Sequence, residues 1–189
     1  MNKTLKEFTK EDWDTLFPIT LVDHDPSWKK IYDIEEKRIR ENTTSKFTKR
    51  IEHFGSSSIP NIKSKPYIDI LIEVPQQFLF NQVFVDQLES IGYTCLTQPN
   101  AQDENNYMIL VKGYKPDGTS DQIFHLHACP SGHPMMKQLE FKEYLIAHPL
   151  RAAEYERLKI LLEIEFKNNR SSYRIAKTEF INETLAMVK

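Results

Sequence analysis

The chain has 189 residues, 40% hydrophobic and 28% charged, with 25 Lys and Arg against 27 Asp and Glu for a formal net charge of −2; that length suits one domain with a real core, and the composition is that of an ordinary soluble protein. The near-neutral balance argues against general nucleic-acid binding, and two cysteines, Cys95 and Cys129, give no disulfide framework, so the cytosol (cytoplasm) is the expected setting. No apolar run approaches the roughly 20 residues that span a bilayer, and nothing at the start resembles a signal peptide, so no membrane partner is expected.

In chain order, residues 1–10 are polar and read as a loosely held lead-in. Residues 11–17 fit a short helix stopped by Pro18, and 19–22 an extended stretch. Asp25-Pro26 is a helix start, with Asp as N-cap and Pro at the first helical position. Trp28, Ile31, Tyr32, Ile34, Glu35 and Ile39 follow at partly helical spacing, predicting a helix over 26–41. Residues 50–54 alternate as a strand and stop at Gly55. Residues 67–74 are β-branched or apolar except for Asp69 and Glu73, and Pro75 ends this second strand. A helix is predicted over 77–90, with Phe80, Val83, Phe84, Leu88 and Ile91 on its apolar face and Gly92 beyond its end. Strands are expected at 93–97, 107–112 and 123–129, with a polar loop at 99–106 and a turn at 115–118. Beyond Ser131 the pattern is helical, over 137–148, 150–168 and 173–188. The sum is one α+β domain over 1–189: a sheet-containing core at about 19–130, with a helix between its second and third strands, and a helical C-terminal layer at about 135–188.

Chemistry concentrates in two places. The first is the Gly55 turn with Ser56, Ser57 and Ser58, followed by a loop carrying Lys63 and Lys65 between Pro60 and Pro66. Such a turn exposes backbone N–H groups to an anion, although a plain turn and a solvated loop have the same sequence. A carboxylate within an apolar strand needs a partner, a metal or an open end, which singles out Asp69; capping the Gly55 turn is the simpler alternative. The second is His125-Leu126-His127-Ala128-Cys129. Strand alternation puts His125, His127 and Cys129 on one face, and His53 would join them if its strand lies close by. Cys129 reads better as a small buried hydrophobe than as a ligand.

A glycine-serine turn followed about a dozen residues later by a strand aspartate resembles the nucleotidyltransferase arrangement. There the turn holds phosphate, and strand carboxylates hold Mg²⁺ for in-line attack. The usual second carboxylate, two positions away, is missing: Tyr67 and Leu71 stand there. Glu73 shares the face of Asp69 but lies about 13 Å along the strand, at roughly 3.3 Å per residue.

The ordered motifs resemble the GrpB family over about residues 22–186. They are 25–28 (DPSW), 51–60 (IEHFGSSSIP), 65–70 (KPYIDI), 125–127 (HLH), 141–145 (FKEYL) with 147–149 (AHP), Tyr155, Leu158-Lys159 and 173–180 (YRIAKTEF). A related domain lies C-terminal to dephospho-CoA kinase in some fused bacterial proteins. The resemblance implies a nucleotidyltransferase-like fold, a mixed β-sheet flanked by helices. It implies no particular reaction. Carried over by position, Gly55, Ser56 and Ser57 match the phosphate turn and Asp69 the strand carboxylate. His125 and His127 lie where a third acid is often found.

Three function classes follow. The first is a metal-dependent transferase acting on a nucleotide or another phosphorylated small molecule. Asp69 and His127 would be its catalytic residues, Asp69, His125 and His127 its ligands for a divalent metal (Mg²⁺, Mn²⁺ or Zn²⁺), and Gly55, Ser56, Ser57, Lys65 and Lys177 its phosphate contacts. Tyr173 and Arg174 are further anion-binding candidates, although Tyr173 and Lys177 at i,i+4 would also simply pack together. The second class is a non-catalytic nucleotide- or phosphate-binding module. The third is a phosphohydrolase using a histidine on the alternating strand as nucleophile, with Cys129 where such a strand has its third histidine.

Overall fold

The computed structural model describes residues 3–100 and 105–188. The strands β1 (Arg50–Phe54), β2 (Tyr67–Glu73), β3 (Thr94–Cys95), β4 (Met108–Tyr114) and β5 (Ser120–Cys129) form one mixed sheet in the order β1-β2-β5-β4-β3. β2 and β5 run parallel at its middle, and the remaining neighbours are antiparallel. The middle strands carry apolar residues on both faces because both faces are covered.

Strand alternation sorts the two faces. One carries Ile51, His53, Ile68, Ile70, Ile72, Met108, Leu110, Phe124, Leu126 and Ala128, and packs against α2 (Ser27–Asn42) and α3 (Gln82–Ser90). From α2 come Trp28, Tyr32 and Ile39, at i, i+4 and i+11 on one helical face; from α3 come Phe84 and Leu88. On the second face one register row crosses all five strands: Phe54 opposite Asp69, Asp69 opposite His125, His125 opposite Val111, and Val111 opposite Thr94. At one end of this face Phe54, Leu71 and Cys129 meet Leu139 of α4 (Lys137–Ala147), and at the other Tyr67, Val111 and Ile123 meet Phe17, just after α1 (Lys10–Leu16). Between the two lies a cavity, completed by α5 (Pro149–Phe166), α6 (Arg170–Ile175) and α7 (Thr178–Ala186).

This is the α+β class expected: a mixed sheet flanked by helices, with a helical C-terminal segment. Some boundaries differ. The lead-in is tied down rather than loose: Glu7 accepts from the Thr4 backbone N–H at 2.7 Å, Lys6 pairs with Glu89 at 2.8 Å, and Leu5 and Phe8 pack near Trp13. Residues 1 and 2 of that stretch, and 101–104 of the expected 99–106 loop, lie outside the described residues. The helix predicted over 77–90 starts only at Gln82, because Asn81 caps it by accepting from the N–H groups of Val83 and Phe84 at 3.1 and 3.3 Å. Phe80 before it has φ +59°, and Val83 is more than half exposed. The strand expected at 93–97 shrinks to Thr94–Cys95, since the Thr97 hydroxyl takes the Ile109 N–H at 2.9 Å in place of a ladder bond. The helix expected over 173–188 is two, α6 and α7, with an i−3 bond from Lys177 N–H to the Arg174 carbonyl where the α ladder breaks. Among the described residues no helix is long and apolar enough to cross a membrane.

Candidate functional site

The cavity encloses about 590 Å³, a size suited to a small-molecule ligand. Its sheet wall is built by register. Parallel pairing sets Asp69 beside His125, and alternation puts His127 on the same face one step further along β5. The turn after β1 then presses against Asp69. Gly55 has φ 71° and ψ −177°, a region open essentially to glycine alone, and a Cβ there would lie 2.2 Å from Asp69 Oδ2. Glycine is thus required twice, by its backbone angles and by the carboxylate that fills its side-chain space.

His125 Nδ1 lies 3.4 Å from Asp69 Oδ1. That is long for a hydrogen bond but matches two donors on one tetrahedral ion, which sit about 3.4 Å apart when the bonds are about 2.1 Å. The other nitrogen, Nε2, is 2.7 Å from the Tyr114 hydroxyl, which accepts from Arg170 Nη2 at 3.2 Å. Arg170 itself donates to the Phe17 carbonyl at 2.8 Å, and its backbone N–H donates to Asp14 at 2.8 Å. His127 lies between Phe54 and Tyr107, with ring centroids 5.4 and 5.8 Å away, and its Nδ1 is buried without a hydrogen-bond partner. Asp69, His125 and His127 each offer a ligand atom, all within 4.8 Å of one another, and they are the one such group among the described residues. The orphaned nitrogen and the long Asp69–His125 contact both fit a cation bound between these three side chains, with the Tyr114 hydroxyl orienting His125 from its far side.

Protonation states agree with that chemistry. Burial pushes His127 down to about 4, against the opposing pull of Asp69, so its ring is neutral at pH 7. Burial also lowers His125, again against Asp69. For Asp69, burial opposes ionisation, but His125, Lys65 and His127 together outweigh it and hold the carboxyl below its usual value.

The same cavity is also lined by cations. Lys65, Lys159, Arg174 and Lys177 line the cavity, and among the described residues none has a carboxylate within ion-pair distance. Burial, with Arg170 and Lys177 nearby, drives Lys65 down to about 7. Lys177 stands over the Tyr173 ring at 4.5 Å, and Tyr173 is buried beneath it, so that pair does pack at i,i+4 while leaving the ammonium to the cavity.

Of the residues singled out in sequence, Gly55, Ser56, Lys65, Asp69, His125, His127, Tyr173, Arg174 and Lys177 come together at this cavity. Ser57 does not. The serine turn is a 3-10 helix, and Ser57 is 2% exposed with its hydroxyl bonded to His53 Nε2 at 3.1 Å. His53 adds no fourth ligand, since it pairs with Ile70 on the other sheet face and stacks on Tyr32 at 4.9 Å. Cys129 shares the histidine face but is fully buried, with Met136 Sδ 3.8 Å away, and burial pushes its thiol up to about 12. Glu73 is drawn off to the Ser131 hydroxyl, and Lys63 pairs with Asp23. Sequence reasoning missed Tyr114 and Arg170, which reach the site from elements distant in the chain, and gave Lys159 no role. Lys159 had a local signal: it falls at i+4 from Tyr155 and i−3 from Leu162, on the buried face of α5.

The family described as GrpB protein matches residues 18–187. The glutamate-rich protein GrpB of Alkalihalophilus pseudofirmus is 30% identical, over 88% of this chain and 94% of its own length. YqkA of Bacillus subtilis is 32% identical over 86% of this chain, which spans only 45% of that protein. Among solved structures, the conserved protein GrpB of Enterococcus faecalis superposes with a TM-score of 0.70 at 22% identity, covering 88% of this chain and 98% of that one.

Proposed function

The chain belongs to the GrpB family, and from that premise we propose that it is a nucleotidyltransferase-like protein that takes a nucleotide or another phosphorylated small molecule into this cavity and acts on it with a divalent metal. The observation that carries the reading is the presence, in one cavity, of the Asp69–His125–His127 cluster and of cations that have no carboxylate partner among the described residues. Asp69, His125 and His127 are the metal ligands, and Asp69 and His127 the residues on which turnover depends. The donor set, two imidazoles and one carboxylate, favours Zn²⁺ or Mn²⁺ over Mg²⁺. A bound metal would neutralise charge developing on phosphoryl oxygens. Lys65, Arg174 and Lys177 attract and orient the phosphate, and the Gly55–Ser56 turn keeps the backbone close to the carboxylate. The cations line a cavity rather than an outer stripe, which suits a small molecule better than nucleic acid. A cytosolic setting accords with the free thiols of Cys95 and Cys129.

A second reading, a binding module without catalysis, is favoured by one feature. The positions flanking Asp69 on its face-sharing step hold Tyr67 and Leu71, and Glu73 is engaged elsewhere, so among the described residues no second carboxylate joins the cluster. The histidine-nucleophile reading loses support because Cys129, at its third position, packs with Leu71 and Leu139 away from the cavity.

Thermal shift with nucleotides, CoA precursors and divalent metals, on the native chain and Asp69→Ala, separates the readings. A ligand specific to the folded state adds about 2.7 kcal/mol at roughly a hundred times its Kd. A nucleotide shift that needs metal and vanishes in Asp69→Ala, followed by turnover, is the expected result. Binding without turnover transfers the case to the module. No shift with any nucleotide or phosphate ester overturns both.

A further inference from the structure

The face of α5 turned away from the cavity carries a pattern of its own. The buried residues of this helix are Ala152, Tyr155, Lys159 and Leu162, of which Tyr155 and Lys159 line the cavity. About two residues further round, roughly 200° at about 100° per residue, a second stripe runs along the helix in solvent. Leu150, Glu154, Arg157, Leu161 and Ile164 are all exposed. Their steps of four, three, four and three residues are the a/d spacing of a coiled-coil seam. Leu150 is 85% exposed, Ile164 77% and Leu161 64%. A single exposed leucine needs no explanation, but three large apolar side chains in register on one helix do.

The polar pair inside the seam indicates what covers it. Arg157 has no ion-pair or hydrogen-bond partner among the described residues. Glu154 gives one oxygen, Oε2, to Arg151 at 2.9 Å, and Arg151 is held in turn by Glu183 at 3.1 Å, so the second Glu154 oxygen is left to solvent. Consider a second α5 laid antiparallel on the first, with a two-fold axis passing between positions 155 and 156. Leu150 then faces Leu161 of the partner subunit, and Glu154 faces Arg157 of the partner subunit. The symmetry repeats each pair in the opposite sense, as an isologous interface requires. One register thus matches the apolar and the charged positions together. Parallel pairing in register would instead set Glu154 on Glu154 and Arg157 on Arg157, which is repulsive. A lipid surface suits the stripe less well, because helices that lie on membranes keep acids off their apolar face, and Glu154 stands within this one.

We propose that the outer face of α5 is a homodimer interface, on which a second copy of this chain docks antiparallel through Leu150, Leu161 and Ile164 and through two Glu154–Arg157 ion pairs. From Leu150 to Ile164 the seam is about 21 Å long at roughly 1.5 Å per residue. That is the small end of specific contacts, so the dimer forms at micromolar rather than nanomolar concentrations. The interface does not depend on what the cavity binds. Its consequence for the cavity is mechanical: the partner braces the helix whose inner face supplies Tyr155 and Lys159.

Sedimentation equilibrium of the full chain, from about 5 to about 500 µM, reads the association directly. The native chain is expected to show a monomer–dimer equilibrium within that range. Leu161→Glu and Arg157→Glu should each weaken it at least about tenfold. The double variant Glu154→Arg with Arg157→Glu should return to within about threefold of native, since the exchanged charges again meet their opposites. All three positions are exposed, so the urea midpoint should stay near its native value; should Leu161→Glu fold poorly, the charge exchange decides. A native chain that remains monomeric throughout overturns the interface, and flotation of that monomer with anionic lipid vesicles would give the seam to a membrane instead. A dimer indifferent to Leu161→Glu and Arg157→Glu overturns it too, as does a double variant no tighter than Arg157→Glu alone.

Discussion

Gly55→Ala attacks the site through its backbone. At φ 71° and ψ −177° a side chain of any size costs about 1–3 kcal/mol in backbone strain. The new methyl would also lie 2.2 Å from Asp69 Oδ2 and 2.9 Å from its Cγ, so the turn or the carboxylate must move. Asp69 yields by turning from His125, 3.4 Å away, and relieving the overlap adds about 1–3 kcal/mol, as at other overpacked positions. The combined loss is about 3 kcal/mol or more, a large share of the roughly 5–15 kcal/mol that holds a domain together. Gly132→Ala is the control: its φ of +77° is equally left-handed, but nothing lies within 4 Å of the added carbon, so only the backbone cost applies. Urea unfolding followed by tryptophan fluorescence gives the stability, and Zn²⁺ titration against a chromophoric chelator reads the cluster. Gly55→Ala should lose both stability and at least about tenfold in Zn²⁺ affinity, about 1.4 kcal/mol; Gly132→Ala should keep its Zn²⁺ affinity. A Gly55→Ala protein within about 0.5 kcal/mol of native and with unaltered Zn²⁺ binding would refute the coupling of turn and carboxylate.

Two further outcomes follow from buried groups. Burial, chiefly, lowers His53 to about 4, so between pH 6.5 and 4 the unfolded chain binds a proton that the folded chain refuses. Stability therefore falls as pH drops through that window, by roughly 3 kcal/mol for this one group when the loss is complete. His53→Gln should flatten the pH dependence of the urea midpoint, and an unchanged slope would show that His53 is not the group responsible. Cys129→Ala removes a sulfur packed against Leu71 and Met136, so it should cost about 1 kcal/mol while leaving Zn²⁺ affinity untouched; loss of Zn²⁺ binding would make the thiol a ligand after all.

The parts of this molecule legible in its sequence are those fixed by local pattern. Tyr67–Glu73 announces itself by its three isoleucines, and alternation over the strand expected at 123–129 puts His125 and His127 on one face; the polar first three residues of Ser120–Cys129 carried no such signal. Asp69 was legible as an anomaly, a charge where the strand is otherwise apolar. What failed was what depends on a single turn or on another element. Ser56 and Ser57 are chemically identical in sequence, and only the 3-10 geometry after Gly55 sends one to the cavity and the other to His53 on the far side of the sheet. Whether His53 reaches Asp69 depends on register, and pairing with Ile70 sends it to the opposite face. Tyr114 and Arg170 meet 56 positions apart, beyond any periodicity.

The cavity is also where the fold runs against its own stability. Lys65 and Lys159 bind protons far less readily than a free lysine, so near pH 7 the folded state is penalised relative to the unfolded chain, which keeps both groups charged up to about 10.4. A His127 nitrogen without a partner adds to that cost. Each strain has the same kind of remedy: negative charge opposite the lysines, a cation beside the imidazole. Elsewhere the molecule shows how it treats a buried charge that serves packing alone: Lys112 is matched to Glu35 at 2.6 Å beneath Tyr93 and Phe124. Pairing was available to this fold where it was needed. The lack of a carboxylate partner for Lys65, Lys159 and Lys177 among the described residues is the contrast on which the proposed ligand reading rests.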